Sequence, residues 1–156
     1  GVPNVELKTL TVFMAGAFCG ARLGCAVGAL SILVHSLFNP LGPAPAPLLA
    51  AQVAGFVAIG AVGGIAGPRI GASGGWSVAA CAAAGFGLTL LYDALTTVAT
   101  AFVALGASRF VGGLGGFAVA GIGFTALHEG VNATVFAVTV PPLMKAMRAW
   151  QGGEVT

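Results

Sequence analysis

Residues 48–66 read LLAAQVAGFVAIGAVGGIA, an uncharged run in which Gln52 is the one strongly polar side chain. A helix needs roughly 20 apolar residues to cross the hydrocarbon core of a bilayer, and this run has that length with no polar face to turn toward water. It reads as a membrane span, and Gly67-Pro68-Arg69 closes it. The proline ends the run of helix formers, and the arginine belongs at an interface.

The rest of the chain agrees with that solvent. Of 156 residues, 58% are hydrophobic and 6% charged, and the mean hydropathy is +1.02; an ordinary soluble domain carries about 25% charged residues. Glu6, Lys8, Arg22, Arg69, Asp93, Arg109, Glu129, Lys145, Arg148 and Glu154 are too few to coat a folded surface. Soluble, disordered and collagen-like classes are excluded, since the 26 glycines have no three-residue period. A net charge of +2 from scattered residues makes no basic patch, so nucleic acid is not an expected partner. Cys19, Cys25 and Cys81 lie in apolar runs without metal spacing and read as small buried hydrophobes; no metal or cofactor is expected.

Cutting at charges and at Pro/Gly clusters gives one transmembrane domain, residues 1–156, built as an all-α bundle of five spans. The first runs from about Val5 to Gly20 and the second from Leu23 to Leu37, joined by a tight turn at Gly20-Ala21-Arg22-Leu23-Gly24. A single helix over both would be about 50 Å long and would hold Arg22 at mid-depth, so a hairpin is expected. Residues 39–47 hold four prolines and form a stiff external loop. The third span is 48–66, the fourth runs from Trp76 to near Leu105, and Arg109 marks the next break. The last span follows the glycine-rich stretch 112–123 and ends at Pro141-Pro142 or just beyond. Counting Lys and Arg in short loops puts Arg22, Arg69, Lys145 and Arg148 on the cytoplasmic side, with Lys8 and Arg109 outside. The expected location is the cell (inner) membrane with a cytoplasmic C-terminus. An exterior start without a secretory signal further implies one more helix before Gly1, for six spans in all.

Placed by depth, the polar side chains gather in the outer leaflet: Glu6, His35, Asn39, Gln52, Tyr92, Asp93, Thr96, Thr97, His128, Glu129 and Asn132. His35 and Asn39, Asp93 and Thr97, and His128 and Asn132 are i, i+4 pairs, each pointing one way. The inner-leaflet stretches hold almost no hydrogen-bonding side chains. An outward-facing polar cavity over an apolar floor suits capture of a polar solute rather than a continuous pore. Gly16, Gly20, Gly24 and Gly28 recur every four positions, as do Gly60 and Gly64, and make smooth faces for helix packing or for docking a second membrane subunit.

Pro3-Asn4-Val5-Glu6-Leu7, the 13–28 hairpin, the 39–52 proline loop, Tyr92-Asp93-Ala94-Leu95-Thr96-Thr97, and the run from Gly123 through His128 and Asn132 to Leu143 resemble the substrate-binding S components of energy-coupling factor (ECF) vitamin transporters. The likeness covers nearly the whole chain and rests on the order and spacing of its motifs. It implies a six-helix, extracellularly open protein that binds a water-soluble vitamin or related micronutrient, topples in the membrane to deliver it, and works with a membrane coupling subunit and two cytoplasmic ATPases. The family's first helix, with its alanine-rich docking motif, is not in this chain. No Walker A pattern is present, so energy would come from a partner. In such a pocket Glu6, Asp93 and Glu129 would meet ammonium or hydroxyl groups, His35, His128, Asn39, Gln52 and Asn132 would make directional hydrogen bonds, Tyr92 would stack on a ring, Thr97 would share the Asp93 face, and the proline loop would be a lid.

Two rivals stand beside this reading. His35–Asn39, Gly71-Ala72-Ser73-Gly74 and His128 resemble the HxxxN, GxSG and His order of rhomboid intramembrane serine proteases, with Ser73 as nucleophile and His128 as base. Topology opposes it, because Ser73 falls on the cytoplasmic side and both histidines in the outer leaflet. The other rival is a membrane scaffold that binds no small molecule.

Overall fold

A computed structural model describes residues 7–40, 42–70 and 76–153. It contains five helices: α1 (Lys8–Cys19), α2 (Ala21–Leu37), α3 (Ala46–Ile70), α4 (Val78–Leu105) and α5 (Ala107–Gly153). Among the described residues there are no strands. The protein is all-helical, and α3, α4 and α5 are each long and apolar enough to cross a membrane. Five helices stand where five spans are expected; α1 and α2, of 12 and 17 residues, are shorter apolar helices.

The α1–α2 hairpin forms as the charge at Arg22 requires. Gly20 sits at φ +86° and ψ 164° between the two helices, a backbone conformation left almost wholly to glycine, which costs a side-chain-bearing residue about 1–3 kcal/mol. The chain reverses there, and Gly24 returns beside Gly16, Gly28 beside Val12. Both helices then lie on α3, α1 parallel to it and α2 antiparallel. These contacts are backbone on backbone: a Cβ on Gly16 would stand 2.1 Å from the carbonyl oxygen of Gly60, and one on Gly24 would stand 2.4 Å from the same atom. Small residues supply close packing where lipid tails give no hydrophobic drive. The face expected to be open to a partner subunit is thus covered from within by α3 at Gly16, Gly24 and Gly28, while Gly20 serves the turn.

Other boundaries differ from expectation for local reasons. Helix α3 starts at Ala46, with Pro47 in the first turn, where its missing N–H costs nothing, and it carries Pro68 in its last turn rather than stopping before it. The α4–α5 turn lies at Gly106 (φ +72°), so Arg109 belongs to the first turn of α5 instead of the break. The glycine-rich stretch 112–123 is helical, and α5 continues through Pro141-Pro142 to Gly153. On either side of the prolines Val140 and Met144 are buried in the core, and Met144, Met147 and Arg148 line a small cavity together with Ala17, Phe18, Gly67 and Pro68 at the far ends of α1 and α3.

That far end is the apolar half. Phe13 and Phe136 cross at 5.0 Å between ring centroids, surrounded by Ile59, Ile70, Cys81, Val140 and Met144. The buried polar side chains among the described residues, Thr9, Ser36, Thr89, Asp93, His128, Glu129 and Asn132, all belong to the opposite half, toward the start of α1 and the end of α2.

Candidate binding site between α4 and α5

Helices α4 and α5 pair antiparallel in a register fixed by three contacts. Phe102 meets Phe110 near the turn, Asp93 meets His128 at mid-length, and Gly85 lies against Asn132 and Phe136. A Cβ on Gly85 would stand 2.6 Å from the carbonyl oxygen of Asn132, so glycine there is what allows the two helices to close on each other. One turn from the Asp93–His128 rung, by the same register, Thr89 faces Asn132.

The central contact is an acid–imidazole pair. His128 Nδ1 stands 3.0 Å from each carboxylate oxygen of Asp93, and both side chains are buried. Donation from Nδ1 orients the ring, since a carboxylate only accepts. Glu129 is buried one residue on and lies within electrostatic range of both. Asn132 donates from Nδ2 to the carbonyl oxygen of His128 at 3.2 Å. The buried atoms Thr89 Oγ1, Glu129 Oε1 and Asn132 Oδ1 have no hydrogen-bond partner among the described residues. Native interiors rarely leave such groups unpaired, so each calls for a donor that the described residues do not supply.

Aromatic side chains wall the pair toward α3. The Tyr92 ring stands edge-on to His128 at 6.5 Å and to Phe56 at 5.1 Å, and Lys8 Nζ lies 6.0 Å from the centre of the Phe56 ring. Gly55 gives Tyr92 its place, since a Cβ there would come within 2.8 Å of the tyrosine ring. Gln52, half-buried, lies one turn from Gly55 and Phe56 on the same face of α3. On the other side a cleft of about 390 Å³ runs along the α4–α5 seam, lined by Asp93, Thr97, Leu114, Ala118, Ile122 and Thr125 among others.

The structure therefore brings together Tyr92, Asp93, His128, Glu129 and Asn132, with Thr97 on the adjoining cleft and Gln52 near by on α3. It does not bring in His35, which is exposed on α2 beside Val34 and Leu37, away from the buried line of Gly24, Gly28, Ile32 and Ser36. Asn39 is half-buried in the loop after α2. In that loop the Ser36 hydroxyl accepts the Ala44 N–H at 3.1 Å, which anchors the expected lid to its own helix. Glu6 and Ser73 lie outside the described residues. Thr89 was missed by the sequence reading; its i−4 spacing from Asp93 was the available signal.

No family model, curated protein or solved structure matches this chain.

Proposed function

We propose that this chain is the solute-binding subunit of an ECF-type importer, taking a water-soluble vitamin or related micronutrient from the outer side of the cell membrane. Its support is the Asp93–His128 pair with Glu129 and Asn132: ionisable groups inside apolar helices are costly and mark a functional site unless they fully satisfy one another. Here they do not, because buried oxygens of Glu129 and Asn132 stay unpaired, and Asp93 itself lines the cleft along the α4–α5 seam. The apolar half beneath, from Phe13–Phe136 to Met144, favours a binding chamber closed at one end over a channel.

On this reading Asp93 and His128 form the floor of the site, Glu129 and Asn132 bind the solute, and Tyr92 offers a ring edge to it. The C-terminus lies in the cytoplasm with Arg69 and Arg148. Delivery and energy belong to a membrane coupling subunit and two ATPases. Native mass spectrometry of protein purified from cells grown in rich medium tests this: a co-purified small molecule is expected, and its occupancy should fall in Asp93→Ala and Asn132→Ala. Protein that carries and binds no small molecule would instead be a scaffold.

A further inference from the structure

The unpaired oxygens of the α4–α5 seam can each accept a hydrogen bond. The Asn132 amide is fixed in orientation, since Nδ2 donates to a carbonyl oxygen that can only accept, and this leaves Oδ1 as a buried acceptor. Glu129 Oε1 is a second acceptor. Thr89 Oγ1, in register with Asn132, is a hydroxyl that accepts as well. Asn132 is fully buried, and Thr89 and Glu129 are 1% and 7% exposed, so water reaches them poorly. Two carboxylates, Asp93 and Glu129, set the charge of this space.

Among the described residues Arg22, Arg69, Arg109, Lys145 and Arg148 are exposed, Lys8 Nζ lies 6.0 Å from the centre of the Phe56 ring, and the His128 imidazole is the basic group set against Asp93. A carboxylate or phosphate entering the seam would face two acids and the acceptors Glu129 Oε1 and Asn132 Oδ1, with only the Thr89 hydroxyl and the second Asn132 N–H to donate to it. A group bearing positive charge and N–H bonds would satisfy the same acceptors.

Resting on the reading of the chain as a binding subunit, we infer that its solute is a nitrogenous organic cation of the protonated amine or amidinium class, whose N–H groups are received by Glu129, Asn132 and Thr89. Asp93 is engaged through both oxygens by His128 and orients that ring, so specificity falls to the α5 acceptors and to Thr89, a residue with no role in the pair.

The test uses the full chain in detergent with three probes of similar size: benzamidinium, benzyltrimethylammonium, which is a cation without N–H, and benzoate. Each is titrated against thermal stability, and the mass of any co-purified solute is read from the same preparation. Benzamidinium is expected to raise Tm and benzoate to leave it unchanged, with benzyltrimethylammonium about tenfold weaker than benzamidinium. Glu129→Gln and Thr89→Val should each weaken benzamidinium about tenfold, and Thr89→Val, near-isosteric, guards against loss of fold as the cause. Benzoate binding as well as benzamidinium, equal binding of both cations, or undiminished affinity in both variants would overturn the assignment while leaving a binding subunit in place. Where no probe binds, the co-purified solute decides: an N–H-bearing cation upholds the class, and a neutral or anionic molecule overturns it. Absence of any bound molecule would remove the class and the binding subunit together.

Discussion

His128 Nδ1 lies equidistant from the two carboxylate oxygens of Asp93, 3.0 Å from each, so one imidazole N–H engages the whole carboxylate across 35 residues of sequence. The pair ties α4 to α5 at mid-length and leaves neither group available for a lipid-facing role. Asp93→Ala should therefore destabilise the protein by about 1–3 kcal/mol, the cost of a buried donor left unmet. Unfolding in detergent checks this, and a Tm equal to that of the parent would show that the pair contributes nothing.

Thr89→Val is expected to act in the opposite direction in ligand-free protein. The hydroxyl is buried and unpaired, so replacing it with a methyl group of the same shape should be neutral or stabilising by up to about 1 kcal/mol. The same substitution weakens solute binding if the seam is the site. A variant that loses both stability and binding would mean that the hydroxyl holds the fold together.

Gly60→Ala tests the packing of the first three helices. Its Cβ would stand 2.1 Å from the carbonyl oxygen of Gly24 and 2.3 Å from that carbonyl's carbon, so α2 and α3 have to separate, at a cost of about 1–3 kcal/mol. Gly116→Ala is the matched control: nothing lies within 4 Å of its added methyl, and a helical alanine should gain roughly 0.5–1 kcal/mol. Equal stabilities of the two variants would contradict the close helix approach.

At the turn, Gly20→Ala has open space but a φ of +86°, so its cost is conformational alone, about 1–3 kcal/mol. Gly20→Asn should recover none of the loss, because at ψ 164° the residue lies outside the left-handed helical well that asparagine tolerates. Thermal unfolding of the pair measures this, and an asparagine variant as stable as the parent would place the strain elsewhere.

Depth was legible in the sequence and azimuth was not. Counting 1.5 Å per residue put Asp93 and His128 at one level, and they meet there. The same count put His35 in that layer, yet on α2 it lies off the Ile32–Ser36 line, and only the placement of α3 decides which side of α2 is inward. The hairpin was readable because a charge at mid-depth is expensive. The end of α5 was not, since two prolines signal a stop locally while the burial of Val140 and Met144 depends on residues distant in sequence. The glycine stripe showed that something packs closely there and could not say that the neighbour was α3. Thr89 escaped notice because a helical threonine usually bonds its own backbone, as Thr96 and Thr134 do.

Helix α2, bounded by Gly20 and Phe38, rises only about 26 Å over its 17 residues, whereas α4 rises about 42 Å over 28. Lipid beside α2 meets exposed Leu23, Leu30, Leu33 and Leu37 on a wall shorter than a typical hydrocarbon core of about 30 Å. With α2 as a span, a bilayer of that thickness would thin beside it, so the protein would offer its membrane two flanks of unequal hydrophobic height. Acyl-chain length then becomes a control on its tilt and stability, with short-chain lipids relieving the flank that long-chain lipids compress.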